Sequence, residues 1–217
     1  MVVNLSHKHS LVSNWLSELR DTEIQTDRFR FRRNIERLGE VMAYELSKEL
    51  PHATVDVQTP LGIHGSKVLA QQPVLAAILR AGLPLHQGML NYFDKADNAF
   101  IGAYRKHDRE GGFEISLDYI SCPTLENRIL ILCDPMLATG ASLVKTIAAL
   151  REEGTPAQIH IACVIACTVG IEYVLREVGT NVKIWCGDID DELTAKGYIV
   201  PGLGDAGDLA YGAKSQD

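Results

Sequence analysis

The chain has 217 residues, of which 46% are hydrophobic and 23% charged, and its net charge is −7. That profile suits one domain with a buried core and excludes global disorder. The acidic balance argues against a surface that neutralises many nucleic-acid phosphates, and no apolar run approaches the ~20 residues that cross a bilayer.

The first residues, "MVVNLSHKHS", carry neither the apolar core nor the cleavage site of a signal peptide. Residues 10–50 are expected to be helical. In "DRFRFRRNIERLGEVMAYELSKEL", Ile35, Leu38, Met42, Leu46 and Leu50 recur at three- and four-residue steps, one face of a helix that Pro51 stops. The arginines at its start (Arg28, Arg30, Arg32 and Arg33) read as a solvated face or subunit contact. Strand-like "TVDVQT" and "PVLAAILR" follow, the second a continuous apolar run suited to a strand buried on both sides. "GLPLHQGMLNYF" reads as a helix. Across residues 99–120, "AFIGAYR" and "FEISLDYIS" read as two strands joined by the charged "KHDREGG", a flexible hairpin.

The remainder alternates: "RILILC" (strand), "SLVKTIAALREEG" (helix), "QIHIACVIAC" (strand), "GIEYVLREVG" (helix) and "VKIWCG" (strand). Such alternation predicts an α/β fold whose parallel sheet is covered on both faces. The cysteines (Cys122, Cys133, Cys163, Cys167 and Cys186) form no CxxC pair and mostly sit in apolar runs. We read them as buried free thiols of a cytoplasmic protein, and His160 as structural.

Ligands of parallel sheets bind at the carboxyl ends of the strands, and three such ends are unusual. One carries Arg80-Ala81-Gly82, one Asp134 and a small-residue loop, and one Gly187-Asp188. In "CDPMLATGAS", Thr139, Gly140, Ala141 and Ser142 directly precede a helix. Unpaired backbone N–H groups and two hydroxyls there make a phosphate cradle. By itself such a turn is equally a helix N-cap. It is not a Walker A loop, because the lysine is missing. Asp134, five residues before Thr139, could accept hydrogen bonds from sugar hydroxyls. Together they suggest a ribose 5-phosphate site.

"DPMLATGAS" resembles the motif with which type I phosphoribosyltransferases bind phosphoribosyl diphosphate (PRPP). The general signature has two adjacent acids; here Pro135 follows Asp134, as in the uracil phosphoribosyltransferase branch. "GYIVPGLGDAGDLAYG", residues 197–212, resembles the uracil-recognition segment of that branch nearly residue for residue. The likeness runs from "TPLG" (Thr59 to Gly62) through "ILRAG" and "GAYR" to the end. It departs in "KHDREGGFEISLDYIS", "LPLHQGML" and "DLAYG".

The resemblance implies a type I phosphoribosyltransferase-like sheet flanked by helices, with a flexible β-hairpin loop and a C-terminal base-binding hood. It implies one domain over residues 1–217, with a helical segment at 10–50, a hairpin arm at about 99–120 and a uracil segment at 197–212. The reaction would be uracil plus PRPP giving UMP and pyrophosphate, a step of cytoplasmic pyrimidine salvage. Arg80, Arg105 and Asp134 would be catalytic. Arg80 and Arg105 would hold pyrophosphate through planar forks that donate two hydrogen bonds at once. Asp134 would hold the ribose hydroxyls, and Ala138, Thr139, Gly140, Ala141 and Ser142 the 5-phosphate. Pro135, Met136 and Leu137 would shape the loop. Ile199 and Ala206, with Gly204 between them, would offer backbone groups to uracil. Asp205 would reach the base through water or order PRPP and its magnesium, Asp208 would stabilise the loop, and Tyr198 would stack or pack. Mg2+ would ride on the substrate without direct protein ligands. Lys106, His107 and Arg109 read as solvated. The family further implies a homo-oligomer (dimer or tetramer) and GTP activation in some members, with no nucleic-acid or membrane partner. The competing readings are a phosphoribosyltransferase for another base, an RNA-binding regulator of pyrimidine genes on the same fold, and a PRPP binder without catalysis.

Overall fold

The computed structural model of the chain describes residues 1–107, 113–179 and 181–214. In chain order the elements are β1 (Val2–Asn4), α1 (Leu11–Arg20), α2 (Arg28–Ser47), β2 (His52–Thr59), β3 (Gly62–Leu69), β4 (Val74–Leu79), α3 (Leu83–Leu90), β5 (Asp97–His107) and β6 (Phe113–Ser121). They continue with β7 (Ile129–Cys133), β8 (Met136–Leu137), α4 (Ala141–Leu150), β9 (Gln158–Cys167), α5 (Thr168–Val178), β10 (Val182–Asp190), β11 (Glu192–Leu193), β12 (Ile199–Val200) and α6 (Ala206–Tyr211).

The main sheet has eight strands in the order β1-β10-β9-β7-β4-β5-β6, with β8 paired to β9. All its pairings are parallel except β6 on β5. The middle strands are the continuous apolar runs, and every residue of β7 is buried. Two apolar layers clothe the sheet. One gathers α1, α2, α3 and α6, including Leu16, Leu38, Met89 and Ala210. The other gathers α4 and α5, including Ile147 and Val174. This is the α/β arrangement expected from the alternation of strands and helices.

Several boundaries differ from the sequence expectation. The stretch 10–50 is two helices, not one. Asp21 accepts a hydrogen bond from the Glu23 N–H, and Asp27 caps α2 by accepting from the N–H groups of Phe29 and Arg30. A short acid at each side of the gap satisfies backbone donors and so separates the helices. Ile35, Leu38, Met42 and Leu46 are buried on α2 as predicted, and Leu50 is buried beyond its end. "TVDVQT" is a strand outside the main sheet, since β2 pairs with β3 in a separate antiparallel hairpin. β3 went unread because "GIHGSKV" is glycine-bearing and polar. β1, too short for a periodic signal, pairs with β10. β10 runs on to Asp190, so Gly187-Asp188 lies inside a strand instead of at its end. The helix α4 stops at Leu150 and one 3-10 turn leads to Gly154.

The cysteines are free, four of them buried. Among the described residues no helix is long and apolar enough to cross a membrane. The strands of the 99–120 hairpin are present, with Ile101 opposite Ile120. Residues 108–112, at its tip, lie outside the described residues.

Candidate active site

From β4 the chain passes through α3 to β5 on one side; from β7 it passes through α4 to β9 on the other. The order therefore reverses between neighbouring β4 and β7, and a crevice opens at their carboxyl ends. Arg80 and Asp134 stand at those two ends. The Leu79–Arg80 peptide is cis. A Cβ on Gly82 would lie 2.4 Å from the Cys133 carbonyl oxygen, so the two loops touch backbone to backbone.

On the β7 side, the Asp134 carboxylate accepts from the Met136 N–H at 3.2 Å. The Pro135 carbonyl accepts from the N–H groups of Val164 and Ile165 at 2.9 and 3.0 Å. The loop is thereby pinned to β9 before it reaches Thr139. Gly140, at φ +80°, adopts the left-handed backbone that glycine tolerates. A Cβ there would stand 2.8 Å from Val174 and 2.9 Å from the Gly170 carbonyl. No side chain caps α4 at Gly140; the Thr139 hydroxyl accepts from the Ala141 N–H at 3.4 Å. The start of a helix is the end at which backbone N–H groups lack intrahelical partners. Asp134, Met136, Ala138, Thr139, Gly140 and Ser142 line a small pocket here. The Cys133 thiol beside it is driven far up, first by burial and then by the Asp134 charge. It is not a nucleophile.

The third wall is the C-terminal segment. β11 and β12 pair through Leu193 and Ile199, a cis Val200–Pro201 peptide follows, and Asp205 caps α6 by accepting from the Asp208 N–H. Arg80 reaches this wall: its Nη2 donates to Asp208 Oδ1 at 2.8 Å and to the Gly212 carbonyl at 2.7 Å. Asp208 therefore does more than stabilise its own loop. Arg32 donates to the Ala210 carbonyl at 2.6 Å and lies over the Tyr211 ring, so one member of the α2 arginine cluster holds α6 in place instead of facing water. Ile199 and Ala206 are buried and Tyr198 is half exposed. The Tyr198 carbonyl accepts from the Thr194 N–H, and its own N–H donates to the Thr194 hydroxyl. Arg105 occupies β5 opposite Ile115, and its side chain lies outside the described residues.

Sequence reasoning missed the support beneath this wall. Arg20, the last residue of α1, donates to both oxygens of Asp190 and to Asp188. Burial acts to raise the Asp188 pKa, but bonds from Ser6, the Ile189 N–H and Arg20 outweigh it and hold the carboxyl below its usual range. No local signal links residue 20 to residue 190; the doublet of acids in "GDIDDEL" was the one visible hint.

The uracil phosphoribosyltransferase family model matches residues 6–213. The chain belongs to that family. A uracil phosphoribosyltransferase of Porphyromonas gingivalis is 50% identical over 98% of this chain and 99% of its own length. One of Methanothermobacter thermautotrophicus is 39% identical over 85% of each. Among solved structures, the AQ2163 protein of Aquifex aeolicus superposes with a TM-score of 0.87 at 29% identity, covering 100% of both chains. Family and fold agree with a type I phosphoribosyltransferase architecture.

Proposed function

We propose that this crevice joins uracil to PRPP, giving UMP and pyrophosphate, within a single phosphoribosyltransferase domain spanning residues 1–217. One observation carries the reading: Arg80 and Asp134 flank the reversal point of the sheet, and the segment 197–212 folds onto the Arg80 loop.

The 5-phosphate sits on the amides and hydroxyls from Ala138 to Ser142, at the positive end of α4. Asp134 takes the ribose hydroxyls. Arg80 uses Nη2 for its bonds to Asp208 and Gly212. Its other nitrogens face the diphosphate while Nη2 stays on the C-terminal wall. As the bond from ribose C1 to the diphosphate loosens, positive charge grows on the ribose and negative charge on the leaving group. The base nitrogen attacks the opposite face. Pro135 replaces the second acid, so no general base follows Asp134, and rate comes from positioning and electrostatics. Arg105 closes from the hairpin and helps exclude water, which would otherwise hydrolyse PRPP. Backbone groups of Ile199, Gly204 and Ala206 match the carbonyls and N–H groups of uracil, and a donor set so arranged rejects cytosine.

Magnesium belongs to the same proposal. Asp205 offers a single carboxylate, which fits a hard cation carried by substrate oxygens and water. Bound there, it would neutralise charge on the departing diphosphate. Asp205 would order it; Lys214 lies 3.6 Å from the Asp205 carboxylate.

A homo-oligomer is supported by the β2–β3 hairpin, on which Val57, Leu61 and Ile63 are exposed. An exposed apolar hairpin of this kind marks a contact surface. Activation by GTP and a cytoplasmic role in pyrimidine salvage complete the proposal. The test is nucleotide formation from PRPP, Mg2+ and each of uracil, cytosine, orotate, adenine and hypoxanthine, with and without GTP. UMP from uracil alone is expected; product from another base, or from none, overturns the reading.

A further inference from the structure

The turn that follows β12 is built on glycines. Gly202 and Gly204 sit at φ +56° and +92°, and glycine is the residue least confined by its own backbone. Yet this turn leads directly into Asp205 and Ala206, and base recognition demands that its amides stay in place. The anchor lies elsewhere in the chain. The Gly202 N–H donates to Asp190 Oδ2 at 2.9 Å, and the Gly202 carbonyl accepts from Arg20 Nη1 at 2.9 Å. Both backbone groups of one glycine are thus held by the two members of a single ion pair.

That pair is itself rigid. Arg20 Nη1 and Nη2 contact the two Asp190 oxygens at 2.8 and 2.9 Å, a two-pronged geometry. Asp190 is 8% exposed. Nη2 also donates to Asp188, whose other oxygen accepts from Ser6. The Arg20 carbonyl accepts from the buried Gln25 amide. Helix α1 brings Leu16 and Leu19 into the core just before Arg20, so the guanidinium starts from a fixed point. A lysine could supply the charge but not the fork.

We propose that Arg20 is a positioning residue for the pyrimidine base, acting through Asp190 and Gly202 on the recognition turn while leaving the phosphate loop untouched. This rests on the reading of the crevice as a uracil site.

The variants Arg20→Gln, Arg20→Lys and Asp190→Asn test it, with uracil and PRPP varied separately. Arg20→Gln is expected to raise the KM for uracil about 10- to 100-fold, with the PRPP KM within about twofold and kcat little changed, the pattern of lost ground-state binding. Arg20→Lys recovers part of the loss. Amide hydrogen exchange of the free protein supplies a second readout: residues 199–206 should exchange faster in Arg20→Gln while residues 134–142 keep their wild-type rates. Equal rises in both KM values, or equal loosening of both segments, would overturn the proposal. If wild-type protein makes no UMP, the uracil-site reading fails and the base-positioning role of Arg20 is overturned with it, whatever hydrogen exchange shows of the turn. Should Arg20→Gln not fold, Asp190→Asn, which keeps shape and removes charge, is measured the same way.

Discussion

The phosphate side and the base side of the crevice are built by opposite means. Residues 134–142 are shaped by neighbours in sequence and by close backbone packing: an acid that accepts from the amide two residues on, a proline carbonyl held by β9, a glycine against α5. Residues 197–212 are held by side chains from distant elements, with Arg20, Arg32, Arg80 and Asp190 all reaching in. A phosphate is recognised by amides at a helix start, which local chain geometry can provide. A flat base needs a wall folded across the site, and a short glycine-rich wall must borrow rigidity from elsewhere.

The sharpest way to separate the two is at Arg80, which follows β4 at the crevice and donates to the C-terminal wall. Arg80→Ala is expected to lower kcat about 10³-fold, because it removes a charge aimed at the developing diphosphate, an effect of the size seen when one such donor is lost. Arg80→Lys should recover little, since one point charge replaces a fork. Steady-state kinetics with PRPP varied checks this; a loss below about tenfold would remove Arg80 from the chemistry.

Next in size is Gly140→Ala. A left-handed backbone costs a non-glycine residue roughly 1–2 kcal/mol, and the new Cβ would meet Val174 at 2.8 Å and a carbonyl at 2.9 Å. Together we expect a destabilisation of about 3 kcal/mol by urea unfolding, with PRPP binding weakened at least tenfold. Uracil-side geometry should persist: hydrogen exchange at residues 199–206 should move only with global stability. Selective loosening there would break the distinction between the two regions.

This asymmetry also explains what could be read in advance. The cradle was legible because its cause is local: strand, acid, small residues and helix are contiguous. The apolar runs of β4, β7 and β9 announced a doubly covered sheet for the same reason. In the arginine cluster at Arg28 to Arg33 only Arg32 departs from a solvated face, because its partner is the Ala210 carbonyl, 178 positions away. Asp190 and Arg20 escaped notice altogether, their meaning lying in a contact across 170 positions. The gap between α1 and α2 is silent in the apolar pattern, which begins at Ile35, and is set by the short acids Asp21 and Asp27.

Both regions stand on one sheet, and acid should weaken them together. His160 is 1% exposed, its Nδ1 accepts from the Trp185 indole N–H at 3.1 Å, and its Nε2 lies 3.2 Å from Gln158 Oε1. The ring is thus neutral. Burial, helped by Lys183, lowers its pKa to about 4 from the ordinary 6.5. The folded pKa lies below the unfolded one, so below pH 6.5 the unfolded chain binds the extra proton. Stability is full above that value and falls as the pH drops from 6.5 towards 4, by about 2 kcal/mol at pH 5. Urea unfolding followed by tryptophan fluorescence should show this slope, and His160→Gln should flatten it. An unchanged slope in His160→Gln would assign the acid limb to other groups.

The smallest expected effect lies at the seam. Asp208 accepts from Arg80 Nη2 across the join between the two walls, and its own N–H donates to Asp205. Two forces act at this carboxylate. Its charge repels the incoming diphosphate, which would make removal helpful; its contact aims Arg80, which would make removal harmful. The separation decides between them. At 2.8 Å the Arg80 contact is a direct charge-assisted bond of a pair about one-third exposed, worth about 1–1.5 kcal/mol, whereas repulsion of a solvated ligand farther off is screened. Asp208→Ala should therefore lower kcat/KM for PRPP about tenfold, and Asp208→Asn, which still offers an acceptor, should restore most of it. A rise in kcat/KM with Asp208→Ala would mean that repulsion wins and that Arg80 is held back, not aimed, by the wall it touches.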